Sequence, residues 1–404
     1  MKRILFILCL IATGFSLYSQ EIAQWRGPNR DGIYNETGLL KSWPKNGPTM
    51  LWSNESLGDG HAAVAVTKSK VFAAGTLDEM GFIVAFDHSG KVIWKTEYGK
   101  EWTDSFSGVR SAPLFYIDKV YTLSSFGELV CMDAEKGNIL WKVDVTKAYD
   151  GENIKWGYTE NLLIDDGKLY CTAGGKNDNV LALNKDTGKL IWKSKGNGEK
   201  SAYCSPMIVK LANRKIVVTH TESSIIGIDA ADGRFLWSFE HPNEWSVQPN
   251  TPIYQDGFLF CTSGYGQGGV MLKLSPDGAS VTEVWRNKLL DPKMGGMVLV
   301  NGRIYGSGDN TRDWYCLDWK TGQLLYSSDM MKRGDIIFSD GLLYCYDDGG
   351  TVGLVEPGES DFKLISSFKV PLGENQHWAH PVIHDKKLYI RHGSALMVYD
   401  IGAK

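Results

Sequence analysis

From residue 49 to its C-terminus the chain alternates short apolar runs with turns rich in Asp, Asn, Gly and Lys, and no segment carries a sustained helical period. One stretch shows the grammar plainly. Residues 112–116, 119–123, 128–133 and 138–143 read as four strands, separated by turns around Ile117-Asp118, Ser125-Phe126-Gly127 and Ala134-Glu135-Lys136-Gly137. The third and fourth strands belong to a phrase that recurs: an apolar strand, an acidic or amide turn residue, a glycine, then an aromatic four residues on. It appears as Asp87, Gly90, Trp94; Asp133, Gly137, Trp141; Asn184, Gly188, Trp192; Asp229, Gly233, Trp237; and Asp318, Gly322, Tyr326. Looser copies stand at Asp277, Gly278, Trp285 and at Pro357, Gly358, Phe368, and Trp52 opens the series.

The eight aromatics, Trp52, Trp94, Trp141, Trp192, Trp237, Trp285, Tyr326 and Phe368, fall 41 to 51 residues apart. Four strands per repeat of about 45 residues is the sequence signature of a β-propeller. The expected fold is therefore all-β: an eight-bladed propeller, or seven-bladed if one loose copy is misread. The turn Asp or Asn caps its own turn, and Gly takes the positive φ there. The aromatic is expected to dock structurally between blades, with its ring N–H on a backbone carbonyl. The last unit supplies only three strands, at 380–383, 387–391 and 395–400, whereas a lone strand at 49–54 precedes the first unit. The N-terminal strand is thus expected to complete the last blade and close the ring without open edges.

Composition narrows the functional classes. The 404 residues are 43% hydrophobic and 22% charged, with 45 Gly, 14 Trp and a net charge of −4, so a basic nucleic-acid footprint is absent. Lys2 and Arg3 followed by an apolar stretch over 4–17 read as an export leader, and no later segment is long enough to span a membrane. Cys9 lacks a credible lipid-attachment context. The expected organisation is a signal peptide at 1–19, an N-terminal arm packed on the propeller at 20–47, and the propeller at 48–404. The location is periplasmic or extracellular and the protein a monomer. Beyond the leader lie six cysteines, Cys131, Cys171, Cys204, Cys261, Cys316 and Cys345, each in an apolar run; buried thiols and disulfides are both open, and spacing selects no pairing.

In a propeller, the loops entering the innermost strands converge on one mouth of the channel. That position holds His61, Arg110, Tyr158 with Glu160, Tyr203, Asn250, Arg333 with Asp335, and His377 with Trp378 and His380. Cations and aromatics on one cavity suit an anionic or sugar-like ligand; a polar mouth filled by water is the plainer alternative. Glu160 and Asn161 are adjacent on a strand and point to opposite faces, which argues against a shared metal. Asp309, Asn310 and Asp313 lack the glycine and distal glutamate of a calcium loop. The glycines of 264–269 precede no helix, so they form a turn and not a phosphate cradle. No metal site and no catalytic triad emerge.

The Asp-x-x-x-Gly-x-x-x-Trp phrase resembles the tryptophan-docking repeat of the PQQ-like (pyrrolo-quinoline quinone) eight-bladed propellers, the quinoprotein alcohol dehydrogenase-like superfamily. Residues 25–32 (Trp25-Arg26-Gly27-Pro28-Asn29-Arg30-Asp31-Gly32), 156–158, 264–269, 378–381 and 388–391 are similar to segments of exported PQQ-repeat proteins. The resemblance implies two kinds of activity. Quinoprotein dehydrogenases clamp PQQ between a tryptophan and a disulfide of adjacent cysteines, over a calcium held by Glu, Asn and Asp. This chain has no adjacent cysteines and no haem-attachment motif, so PQQ with calcium is open but unsupported by its sharpest marker. The propeller lipoprotein of the outer-membrane β-barrel assembly machinery is a noncatalytic scaffold. The expected function is accordingly a binding or scaffold module of the cell envelope, with an envelope protein or a small sugar-like or anionic ligand as partner. The alternative is a quinoprotein-like oxidoreductase or a carbohydrate-active or carbohydrate-binding protein with its site at the channel mouth.

Overall fold

A computed structural model describes residues 21–403; the leader expected over 1–19 lies outside them. Eight four-stranded antiparallel blades form the ring, over residues 65–100, 114–144, 163–194, 207–240, 253–287, 297–328 and 334–369 for blades 1 to 7, with blade 8 built from 382–400 and the strand Thr49–Asn54. The eight-bladed count holds, and so does the closure. Thr49–Asn54 pairs antiparallel with Ala395–Asp400, running from Thr49 opposite Asp400 to Asn54 opposite Leu396, and is the outermost strand of blade 8. In blade 2 the strands are Leu114–Tyr116, Lys119–Leu123, Glu128–Asp133 and Ile139–Asp144, within two residues of the pattern reading. No helix among the described residues is long and apolar enough to cross a membrane.

The joint between blades is an indole laid on a glycine. Trp52, Trp94, Trp141, Trp192 and Trp237 donate Nε1–H to the carbonyls of His88, Ala134, Lys185, Ala230 and Gly278 in the next blade, at 3.0–3.2 Å. The Trp141 ring covers Gly188 so closely that a Cβ there would lie 2.7 Å from it. Gly188 is therefore required twice, for its φ of +67° and for the space above it. Asn184 holds this turn by accepting the N–H groups of Asp186 and Thr187, both at 3.0 Å. Each docking strand carries a one-residue bulge next to its aromatic: Ala182 pairs with Trp192 and Leu183 with Leu190, leaving Ile191 unpaired and 46% exposed. The bulge turns the indole toward the neighbouring blade while its companion faces solvent.

Blade 7 departs from the rule in a way the sequence concealed. Its bulge leaves Ile365 unpaired and places Ser366, not Phe368, at the docking register. Trp43 of the arm occupies the space. It packs on Tyr344 with ring centroids 5.8 Å apart, as Trp192 packs on Tyr170 at 5.8 Å; its indole N–H is buried without a hydrogen-bond partner, and its backbone N–H donates to Ser366 Oγ at 2.9 Å. Phe368 lies beyond it against Trp43 and Tyr399, covering Gly47, which replaces the turn glycine that blade 8 lacks because the chain ends divide it. The six cysteines among the described residues are free and buried, so burial and not pairing accounts for them.

If Trp43 does the work of a repeat tryptophan, Trp43→Ala and Trp192→Ala should cost alike, about 3–5 kcal/mol each. For a chain this long that corresponds to roughly 4–6 °C in Tm. The exposed Ile191→Ala should stay within about 0.5 kcal/mol. Thermal melts of the three variants check this; a Trp43→Ala variant as stable as Ile191→Ala would show that the arm does not dock the blades.

Candidate functional site

The inner edges of the blades face the channel, and the arm occupies it. Ile22–Ala23 adds to the innermost strand of blade 2, with Ile22 opposite Tyr116, and Ile33–Tyr34 adds parallel to the innermost strand of blade 7, with Tyr34 opposite Ser339. Between these anchors two arginines are buried and satisfied almost wholly by backbone. Arg26 donates to Ile336 O at 3.2 Å, to Asp31 O at 3.1 Å and to Met297 O, and its Nη1 lies 3.2 Å from His380 Nδ1. Arg30 donates to Leu162 O at 2.8 Å, Asn161 O at 2.6 Å and Gln24 Oε1 at 3.1 Å. Open β edges in the channel thus find donors in the arm.

Above this plug a cavity of about 230 Å³ opens at the mouth formed by the loops that lead into the inner strands. Five of the eleven residues expected there line it: His61, Arg110, Tyr203, Trp378 and His380. The other six are not among its lining. His377 stacks on His392 with ring centroids 3.7 Å apart, and Tyr346 Oη lies 2.6 Å from its Nδ1. Tyr158 is buried between blades with its hydroxyl on Ala173 O at 2.6 Å. Glu160 is buried beneath the cavity, accepting Thr172 N at 2.8 Å. Asn250 is buried and donates to Pro292 O at 2.6 Å. Arg333 sits in an ion-pair network with Asp309 and, at 3.2 Å, Asp348. Asp335 is fully buried with Oδ1 3.3 Å from His380 Nε2. These six stand at the right positions in the repeat, but their side chains turn away from the cavity.

Residues that the sequence did not single out complete the wall. Trp25 rises from the arm as the floor, its ring 5.0 Å from that of His380; Phe106, Trp156, Tyr265 and Lys293 come from mouth loops. Phe106 and Trp378 face each other with centroids 5.0 Å apart, and His61 lies 4.9 Å from Trp378 on another side. Arg110 ties the mouth together: it donates to Trp156 O at 2.7 Å, Phe106 O at 2.9 Å, Ser105 O at 3.1 Å and Tyr203 Oη at 3.4 Å. Its Nη hydrogens are spent on these loops, so it organises the site and contributes charge at a distance.

The electrostatics are lopsided. Arg110 and Lys293 line the cavity and no carboxylate does. Lys293 Nζ lies 3.2 Å from Asp309. Burial, and then the Arg110 charge, holds His61 down to about 3; burial, and then Arg26, holds His380 down to about 3, so both rings are neutral near pH 7. With Arg26 donating to its Nδ1, His380 carries its proton on Nε2, toward Met294 O at 2.8 Å. Neither ring nitrogen of His61 has a protein partner in hydrogen-bond geometry, although backbone of Phe106 and Gln376 lies close. The carboxylates lie below: burial pushes Glu160 up to about 8 against the pull of Arg30, and pushes Asp335 well up against the pull of Arg26. Among the described residues no three His, Cys, Asp or Glu side chains gather as a metal site.

The repeat joints and the closing strand define the class of fold: an eight-bladed β-propeller. A family profile described as outer membrane protein assembly factor BamB matches residues 79–267. The chain is 22% identical to the outer membrane protein assembly factor BamB of Yersinia pestis, over 50% of this chain and 49% of that one. It spans about half to two-thirds of the first curated relatives it matches. Two solved structures share the fold: BamB from Moraxella catarrhalis, with TM-score 0.63 and 13% identity over 87% of this chain and 97% of that one, and quinohemoprotein alcohol dehydrogenase from Comamonas testosteroni, with TM-score 0.66 and 11% identity over 93% and 79%.

The plug makes two predictions. Arg26→Met or Arg30→Met removes a buried guanidinium that satisfies several carbonyls and offsets a carboxyl beneath the cavity, and should cost about 3–5 kcal/mol; denaturation midpoints read this, and a neutral outcome would mean the arm leaves the channel freely. The second concerns pH. Glu160 at about 8, and Glu101 pushed by burial to about 7, bind protons in the fold that the unfolded chain has already released, so stability falls as pH rises toward 8. His61, His220 and His380, held near 3, act oppositely and cost stability as pH falls below their ordinary 6.5. Tm should peak near pH 6, and Glu160→Gln should remove a loss that accumulates from pH 4.5 to 8, shifting the maximum to higher pH and leaving the limb below pH 4.5 unchanged.

Proposed function

We propose that this protein is an exported binding module of the cell envelope that holds a small ligand in the aromatic cavity at one mouth of its channel. The observation that carries this reading is the composition of the wall: aromatic rings from the arm and several mouth loops enclose a space with two cations, two neutral histidines and no carboxylate. Such a pocket, mostly apolar with a few placed polar groups, is what small-molecule recognition requires. A base for hydride or proton abstraction is missing from it.

The residues present do not fit calcium-held PQQ. A calcium ion needs several oxygen ligands, usually with carboxylates among them. None lines the cavity, and the buried carboxyls of Glu160 and Asp335 lie within reach of the charges of Arg30 and Arg26. The six free cysteines include no adjacent pair to close a disulfide over the cofactor. The resemblance to assembly factors supports a second reading, in which the ring also docks an envelope protein; the family profile over 79–267 favours it.

Thermal unfolding separates these readings. Saturating ligand at 100 times its Kd adds about 2.7 kcal/mol, or roughly 3 °C for a chain of this length. PQQ with calcium is expected to give no saturable shift, whereas a panel of sugars, sugar acids and aromatic carboxylates is expected to contain one class that does, with the shift lost in Trp378→Ala. A saturable shift requiring both PQQ and calcium would instead restore the dehydrogenase reading.

A further inference from the structure

The loop that carries Trp378 into the cavity wall is fastened by one histidine. Residues 370–381 connect the outer strand of blade 7 to the inner strand of blade 8, and they cross the mouth end of that blade's second strand, Lys387–His392. The crossing brings backbone against backbone. A Cβ on Gly373 would lie 2.0 Å from His392 O, one on Gly393 would lie 2.1 Å from Glu374 O, and Asn375 turns the loop with a φ of +71°. The His392 side chain is buried in this bend. Its Nδ1 lies 2.8 Å from Leu372 O and its Nε2 3.0 Å from Asn375 O. Its face stacks on His377 of the same loop, with centroids 3.7 Å apart and planes 18° from parallel. Both edges and one face of a single ring are spent on one loop.

The hydrogens do not balance on a neutral ring. A carbonyl oxygen only accepts, and a neutral imidazole has one N–H and one bare nitrogen. A neutral His392 therefore bonds Leu372 O or Asn375 O and turns a lone pair toward the other, leaving that buried carbonyl unpaired. An imidazolium donates to both. The groups around it leave this proton to His392. Tyr346 Oη lies 2.6 Å from His377 Nδ1, and burial, then His392 and Lys369, holds His377 down to about 4, so the stacked ring stays neutral. Burial pushes the Tyr346 hydroxyl well up. Lys369 and Asp348, whose charges reach the stacked pair, are opposite in sign: Lys369 donates to Gly349 O, and Asp348 pairs with Arg333 at 3.2 Å. Glu374, on the loop itself, is exposed.

We propose that His392 is the positioning residue of this part of the wall and works as a proton-operated latch. With a proton taken from solvent, its ring donates to Leu372 O and Asn375 O together and fixes the loop. When the proton returns to solvent, one of the two carbonyls is released and the loop loosens. Trp378 follows His377 directly and faces Phe106 at 5.0 Å and His61 at 4.9 Å, so the latch sets the indole between those two rings. Imidazole is the side chain whose charge ordinarily changes between about pH 5 and 8. The direction follows from the hydrogen count: the wall is tight on the acid side of that interval and loose on the other. The latch stands whatever the cavity binds.

The test combines ring spectroscopy with cleavage of the loop, both on the full chain. With isotopically labelled histidine, nitrogen NMR of His392, assigned by its contacts to the His377 ring 3.7 Å away, should show two protonated ring nitrogens at about pH 5 and one at about pH 8. Over the same interval a glutamate-specific protease should cut after Glu374 about ten-fold faster, the effect of losing one hydrogen bond to a charged group. The rate is taken as a ratio to cleavage after the exposed Glu359 of blade 7, so that the protease's own pH dependence cancels. His377→Gln should keep the rise and His392→Gln should lose it. A His392 ring that holds one charge state throughout the interval would overturn the latch, and this reading on the unaltered chain needs no variant to fold. A flat cleavage ratio beside a ring that titrates would overturn it equally. A rise that persists in His392→Gln would overturn the assignment to this residue.

Discussion

A glycine beneath an indole is the joint on which this ring depends. Blades are otherwise held by apolar side chains that slide easily past one another, because burial alone is not directional. The indole adds direction: a flat face that only a residue without Cβ can accept, and an N–H that must find the carbonyl beside that glycine. Where Gly188 receives Trp141, the turn geometry of one blade and the outer strand of its neighbour become a single condition. Trp52, Trp94, Trp141 and Trp192 meet both parts of the condition; Trp285 covers Gly322 without an N–H partner, and Trp237 donates to Gly278 O without covering that glycine. The two seams next to the chain ends are where the repeat cannot meet them unaided, and there the arm contributes Trp43 and Gly47.

Closing a ring creates a second problem at its centre. The innermost strand of every blade has no neighbour on its channel side, and backbone groups there need partners or water. The arm answers this locally, with short strands at blades 2 and 7 and with arginines that donate to carbonyls of blades 3, 6 and 7. Placing two guanidinium groups in a narrow channel is tolerable only because they are hydrogen-bonded and have carboxyl groups within electrostatic reach. Glu160 and Asp335 are in this sense structural counterweights to the arm, which explains why they sit at mouth-loop positions in the chain and yet point away from the mouth.

Periodicity made the fold legible. A glycine-aromatic phrase at intervals near 45 residues specified blade, joint and closing strand, since each follows from local turn chemistry and from the order of pieces. The site was half legible for a related reason. Loop position in the repeat tells which residues approach the mouth, and His61, Arg110, Tyr203, Trp378 and His380 are there. It does not tell which way a side chain turns, and Tyr158, Glu160, Asn250, Arg333 and Asp335 turn elsewhere. Trp25, Arg26, Arg30 and Trp43 lie in a segment outside the repeat, so no period could place them. The density of Trp, Arg and Gly in 25–32 was the one available signal that this segment does more than lie on the surface, and the same reasoning explains Phe368: an aromatic at nearly the right interval, two residues from the bulge that defines the position.

The separation of charge by depth is what the proposed binding reading depends on. Catalysis at such a mouth would require a carboxylate or a basic imidazole in contact with the ligand, with a proton affinity matched to its task. Here the acidic groups are committed under the plug, and the imidazoles of His61 and His380 are kept neutral by burial and by the arginines beside them. What lines the cavity is a set of rings with the ammonium group of Lys293 and the hydroxyls of Tyr203 and Tyr265 among them. On the reading proposed above, these groups recognise a ligand. The arm, by stopping the channel at Trp25, gives that recognition a floor, so that a hole through the ring becomes a cup.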